Sequence, residues 1–252
     1  MINLGQDDEQ GHGVVGDSRA AELSRRLDLV RHRIDTAVAA AGRHDPPRLI
    51  VVTKFHPAED VRRLAALGVT DVGENRDQEA ASKSAGLADL DIRWHFIGQL
   101  QSNKAKSVAK YAASVQSIDR LQVVDALAKA VAREQEATGR ADLDCFIQVG
   151  LDDDAGAHRG GASPADVEVL ADKIESASGL QLSGLMAVAP LGADPEAAFE
   201  KLAGISEVLR AAHPASAAIS AGMSQDLEAA VKFGATHLRI GSDILGSRPA
   251  VG

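Results

Sequence analysis

RLIVVTKFHPAEDVRRLAALGVTDVGEN, residues 48–75, contains one whole strand, helix and second strand. RLIVVT (48–53) is a short apolar run rich in β-branched residues, and such a run suits a buried strand. AEDVRRLAALG (58–68) then changes to helical spacing, with Pro57 suited to the helix start and Gly68 to its end. VTDVG (69–73) returns to strand character. A strand, a crossover helix and another strand predict a parallel pair covered by the helix.

The same grammar extends outward from this unit. Upstream, Asp17 or Ser18 can cap a helix whose apolar positions Leu23, Leu27, Val30, Ile34 and Val38 recur every three or four residues, and Gly42 suits its stop. Downstream, strands are expected at 94–98, 114–118, 143–149, 182–188, 216–220 and 236–241. Amphipathic segments at about 75–86, 103–110, 119–138, 163–178, 194–212 and 224–233 fall between or beside them. Eight strands alternating with helices predict a single (β/α)8 TIM barrel in the α/β class, with an extra N-terminal helix. A doubly wound open sheet is the alternative, and the strand count favours the barrel. The sequence stops soon after the eighth strand, so no C-terminal β-domain is expected. Residues 1–16 are polar and glycine-rich and are expected to form a disordered tail, with one barrel domain over 17–252.

Composition narrows the function classes. A formal charge of -9 argues against a nucleic-acid partner, which would ordinarily meet a basic face. No run approaches the roughly 18 apolar residues of a membrane span. The N-terminus lacks the basic start and apolar stretch of a secretory signal, and the single cysteine, Cys145, forms no internal disulfide. A cytoplasmic protein with a small-molecule partner is expected, and no residue cluster suggests a metal.

Barrels of this kind work at the C-terminal ends of their strands. Lys54 leaves the first strand there, where partial desolvation would favour a neutral amine that attacks carbonyls; the competing reading is a lysine that snorkels to solvent. Gly222-Met223-Ser224 leaves strand seven and Gly241-Ser242 leaves strand eight. Barrels often bind phosphate at that corner through backbone N–H groups and a short helix start. Arg239 projects inward beneath it, unless it serves as a structural ion-pair partner. An amine together with a phosphate cup is the minimal arrangement for pyridoxal 5'-phosphate, and Arg239 would then face the pyridine nitrogen. A permanently charged donor there keeps that nitrogen unprotonated and weakens the ring as an electron sink.

At these residues the sequence resembles the YggS/PROSC family of pyridoxal phosphate homeostasis proteins, which are similar to the N-terminal barrel of alanine racemase. The matching pieces are VVTKFHP (51–57), VGEN (72–75), WHFIGQLQSNKAK (94–106), SVQSID (114–119), SGLMAVAP (183–190) and SAGMSQDLEAAVKFGATHLRIGSDILGSRP (220–249). The resemblance implies a covalent aldimine on Lys54 and a phosphate held by Ser224, Gly241 and Ser242 with backbone near Met223 and Ile240. It further implies that Arg239 meets the pyridine nitrogen and that Asn75 and His95 line the pocket, although His95 also reads as a hydrogen-bonded core histidine. The family's Glu-x-x-Lys-x-Gly segment is replaced here by LDDDAGAHRGG (151–161), where Arg159-Gly160 is the nearest equivalent.

Two function classes then compete. A racemase needs a second acid/base on the far face of the cofactor. Alanine racemases take that tyrosine from an additional β-domain of a partner subunit. The only tyrosine here, Tyr111, falls at the end of an outer helix. A non-catalytic carrier that buffers or delivers pyridoxal 5'-phosphate to apo-enzymes fits better, and the resemblance implies a monomer. An aldolase-type barrel using Lys54 on a sugar phosphate is chemically possible without motif support.

Overall fold

The computed structural model describes residues 17–152 and 160–247, so the expected tail at 1–16 and Arg159 lie outside the described residues. The elements run α1 (Ser18–Ala40), β1 (Arg48–Val52), α2 (Ala58–Ala66), β2 (Asp71–Glu74), α3 (Asp77–Gly86), β3 (Arg93–Phe96), α4 (Ala105–Tyr111) and β4 (Ala112–Ile118). They continue with α5 (Leu121–Thr138), β5 (Leu143–Gln148), α6 (Val167–Glu175), β6 (Leu180–Met186), α7 (Pro195–Ala212), β7 (Ala218–Ser220), α8 (Leu227–Lys232), β8 (His237–Ile240) and α9 (Ser242–Leu245). The eight strands pair in chain order, all parallel, and close into a barrel where β8 meets β1 with Ile50 opposite Arg239 and Val51 opposite Ile240. The closed barrel, rather than the open sheet, is therefore the fold.

Element ends differ from the sequence reading for local reasons. Val69 is not yet strand, because its N–H bonds back to Leu64 O at 3.0 Å and so belongs to the turn ending α2. The helix expected from 224 starts only at Leu227, since the Asp226 carboxylate accepts the Met223 N–H at 2.6 Å and holds 223–226 as a turn. The strand expected from 216 begins at Ala218, because Ser216 bonds back to His213 O at 2.9 Å. Pro164–Asp166 makes a separate 3-10 turn, which shortens α6 at its start.

Side-chain alternation along the strands divides the interior into two layers. Val51, Val72, Trp94, Phe96, Val115, Cys145, Ile147, Leu185, Leu238 and Ile240 join one continuous apolar cluster between sheet and helices. Their neighbours Ile50, Val52, Phe146 and Met186 are buried outside that cluster, on the barrel's inner face. Asp71, His95, Gln116, Ser220 and Arg239 share that inner parity and are also buried. The inside of this barrel is thus partly polar, and each such group needs a partner there.

Helix α1 covers the seam where the barrel closes. Asp17 caps it by accepting from Arg19 N and Ala20 N, and its buried stripe of Leu23, Leu27, Val30, Ile34, Ala37 and Val38 packs against α2, α8 and α9. Arg19 donates to Asp60 Oδ2 on α2 at 2.8 Å and to Leu245 O on α9 at 2.9 Å. Arg33 donates to Ser224 O at 2.8 Å and to Asp243 Oδ2 at 3.0 Å. One helix therefore ties the element after β1 to the elements flanking β8. Leu27→Ala, at a fully buried position, is expected to destabilise the protein by about 2–5 kcal/mol in urea denaturation.

His237 opens β8, with Nδ1 2.8 Å from Thr236 Oγ1 and its ring edge-on to Phe146. Burial, aided by the nearby His95 and Arg48, lowers its pKa to about 4. Between that value and the ordinary histidine value of about 6.5, the unfolded chain binds a proton that the folded one refuses. Stability should therefore fall as pH drops through this window, by about 2–3 kcal/mol from this group. His237→Gln is expected to flatten that slope in denaturation curves recorded from pH 7 to pH 4.

Candidate functional site

Lys54 lies two residues beyond β1, continuing the parity of Ile50 and Val52. Both of those inner-face residues crowd the Cα of Gly73 on β2, where an added Cβ would lie 3.1 Å from Ile50 Cγ2 and 3.5 Å from Val52 Cγ2. The chain turns sharply after Lys54 because Phe55 adopts a positive φ of 69°, a conformation costly for a bulky residue and kept only where surroundings enforce it. Those surroundings are an ion cluster. Phe55 N donates to Glu79 Oε1 at 2.7 Å, Lys83 Nζ donates to Thr53 O at 2.8 Å, and Thr53 Oγ1 donates to Glu74 Oε1 at 2.7 Å. Lys83 also pairs with Glu74 and Glu79, each at 2.7 Å. Burial pushes the Glu74 carboxyl up, against the pull of Lys83 and Thr53. The residues on either side of Lys54 are thus pinned. Among the described residues its own amine has no hydrogen-bond or carboxylate partner and lies 5.9 Å from the Phe55 ring centroid.

The exits of β7 and β8 meet beside it. Ser224 Oγ and Ser242 Oγ are 3.3 Å apart, which brings the two Gly-Ser segments of the sequence into one cup. Gly241 makes this possible on the β1 side: a Cβ there would stand 3.2 Å from Val52 O, so the cup's backbone rests directly against the strand that carries Lys54. Gly222 turns the other segment at φ 91°, with Ala230 Cβ only 2.6 Å from where a side chain would begin. Arg33 of α1 holds Ser224 O from behind. Of the two halves of the cup, Gly241-Ser242 leaves β8, the strand that pairs with β1.

Arg239 lies below, on the barrel's inner face and only 4% exposed. It donates to Ser220 Oγ at 2.6 Å and to Ala187 O at 2.8 Å. No carboxylate among the described residues pairs with it, so the ion-pair reading does not describe it. Burial lowers its pKa to about 10, which leaves it charged at neutral pH.

The other candidates fall at different depths. Asn75 follows β2 at the rim, and its Oδ1 is buried without a partner. It lines a cavity of about 650 Å3 together with Glu79, Phe96, Gln99 and Lys104. Met223 is exposed with its N–H bonded to Asp226 Oδ1, and Ile240 has its side chain in the outer core. His95 is 3% exposed, with Nε2 2.8 Å from Asp71 Oδ1 and Nδ1 3.3 Å from Gln116 Nε2. Both ring nitrogens are taken up within the barrel, as a core histidine requires. Gly160, past the undescribed part of the 151–161 loop, is held by Gln148 Nε2 at 2.8 Å near the end of β5. Tyr111 ends α4, with its hydroxyl 3.4 Å from Asp77 Oδ1, and burial pushes its pKa up.

Sequence reasoning missed the ion cluster and the inner polar residues. Gln116 and Ser220 had a visible signal, as polar residues flanked by strand-forming apolar ones. Glu79 and Lys83 carried none, because an acid and a lysine four apart on a helix ordinarily read as a solvated pair.

Chemically, the arrangement offers an amine with no carboxylate partner among the described residues, two hydroxyls beside glycines, and a buried guanidinium. This donor set fits a phosphorylated aromatic aldehyde such as pyridoxal 5'-phosphate, and the buried, unbonded Asn75 Oδ1 at the rim adds a polar atom that a ligand could meet.

Comparison with known proteins agrees. The family described as alanine racemase, N-terminal domain, matches residues 26–249. The pyridoxal phosphate homeostasis protein of Corynebacterium glutamicum is 45% identical over 223 residues, covering 86% of this chain and 98% of that one. The solved structure of PipY from Synechococcus elongatus, with pyridoxal phosphate bound, superposes with a TM-score of 0.76 at 31% identity, covering 89% of this chain and all of that one. Alanine racemase from Streptomyces coelicolor shares the fold, with a TM-score of 0.69 at 17% identity, and 58% of its length is covered. The chain belongs to the alanine racemase N-terminal domain family, among its pyridoxal phosphate homeostasis proteins.

Proposed function

We propose that this protein binds pyridoxal 5'-phosphate and takes part in its homeostasis, holding the cofactor covalently as an imine on Lys54 and buffering or delivering it to apo-enzymes. The observation that carries this reading is the close approach of Gly241 to Val52, which sets Ser242 at the exit of the strand beside β1, with the Ser224 hydroxyl 3.3 Å from it. The bound cofactor would supply a carbonyl for the amine and an aromatic ring for electron withdrawal. Ser224, Ser242 and the backbone at Ile240 and Gly241 would hold the phosphate beside Met223, whose N–H is bonded to Asp226, and Asn75 would stand at the rim of the pocket. Arg239, charged and with no carboxylate pairing it among the described residues, would face the ring nitrogen and keep it from taking a proton. His95 would act through Gln116 rather than by touching the ligand.

This arrangement favours a carrier over a racemase. Racemisation needs an acid/base opposite the lysine. The one tyrosine is turned toward Asp77 in the outer layer, with burial raising its pKa. A ring nitrogen faced by a guanidinium also stabilises a carbanion poorly. We further propose that the protein acts as a cytoplasmic monomer; no helix among the described residues is long and apolar enough to cross a membrane.

Incubation with pyridoxal 5'-phosphate, reduction with borohydride and peptide mass spectrometry should find the label on Lys54. Lys54→Ala should lose it entirely, and label on another lysine would overturn the assignment. Chiral analysis after incubation with L-alanine is expected to show no sustained turnover; rapid conversion to the D-form would make the protein a racemase.

A further inference from the structure

The buried residues inside the barrel form one continuous hydrogen-bond chain, and its direction can be deduced from one end. Arg239 can only donate, so Ser220 Oγ accepts from it at 2.6 Å. The Ser220 hydrogen then goes to Gln116 Oε1 at 2.7 Å. That fixes the amide, and Gln116 Nε2 donates to His95 Nδ1 at 3.3 Å. The histidine must therefore carry its hydrogen on Nε2, which donates to Asp71 Oδ1 at 2.8 Å. Every step points the same way, from a cation near the barrel mouth to an anion at the start of β2. Asp71 is secured there by Arg48 at 3.0 Å and by Thr70 Oγ1 at 2.8 Å. Burial would raise its carboxyl, but the bonds from His95, Thr70 and Arg48 outweigh this and hold it well below the usual carboxylate range.

We propose that Ser220, Gln116 and His95 are positioning residues that aim Arg239 at the cofactor's ring and connect its charge to Asp71 across the barrel. A carboxylate placed directly on Arg239 would occupy its fork and neutralise it where the ligand sits. The chain instead occupies one N–H through Ser220, while Ala187 O takes another, so the guanidinium keeps its charge and further N–H groups for the ring. Each intermediate group both donates and accepts, so loss of any one removes two buried hydrogen bonds.

The proposal rests on the reading that Arg239 meets the ring nitrogen, and the test separates the two. The probe is pyridoxal 5'-phosphate labelled with nitrogen-15 in its ring, bound to the whole protein, with the ring-nitrogen chemical shift and the dissociation constant as readouts. Ser220→Ala and Gln116→Met are each expected to move the resonance and to weaken binding roughly tenfold, the size of effect expected when a buried hydrogen-bond partner is lost. Neither should add to the change already made by Arg239→Leu, because all three act through the same group. If Arg239→Leu moves the resonance but Ser220→Ala and Gln116→Met leave it in place, the positioning chain is wrong and the Arg239 contact stands. If Arg239→Leu itself leaves the resonance unmoved, the contact is wrong and the chain falls with it. Should Gln116→Met fail to fold, Ser220→Ala, the smaller change, decides the question alone.

Discussion

Everything at the mouth depends on the pairing of β8 with β1. A parallel barrel of eight strands brings the last strand beside the first, and here that pairing sets Ile50 opposite Arg239 and Val51 opposite Ile240. Once this register is set, Gly241 must abut Val52, and the hydroxyl cup must lie one strand away from Lys54. A slip of one residue would turn Arg239 into the apolar layer against the helices and Ile240 into the polar interior, at the cost of burying an unpartnered guanidinium. The alternation of polar and apolar residues on β8 thus enforces the register that the site requires. Helix α1 closes the same seam from outside, with an apolar stripe and two arginines that reach both flanks.

The barrel also shows how a strained segment is kept in place. Phe55 has a positive φ, and the neighbouring Thr53 and Phe55 are bonded to a buried lysine and two acidic residues. A buried ion cluster adds little net stability, since desolvation offsets most of the attraction. Its worth here lies in geometry: the chain on both sides of Lys54 is fixed, while among the described residues no carboxylate pairs with the amine itself.

Much of this was legible in the sequence, and the parts that were not share a cause. The strand count, the extra helix, Lys54 and the paired Gly-Ser exits are local patterns, and local patterns survive folding. The Ser224 to Ser242 contact followed from architecture alone, because the strand order of a barrel is known once the barrel is recognised. The ends of β7 and α8 were misplaced because single hydrogen bonds, from Ser216 and to Asp226, decide them. The partners of His95 and Arg239 could not be read, since Asp71, Gln116 and Ser220 come from three other strands. His95 has both ring nitrogens engaged inside the barrel, by Asp71 and Gln116, which no local pattern could show.

The placement of the two halves of the site at opposite ends of the chain has a consequence during synthesis. Lys54 leaves the ribosome long before Ser224, Gly241 and Ser242, and β1 has only β2 beside it until β8 has emerged. A nascent chain therefore cannot trap a small ligand between these groups, however many of its helices have formed. Under the proposed function, capture of the cofactor would therefore wait for the synthesis and pairing of β8, whichever helices had formed before it.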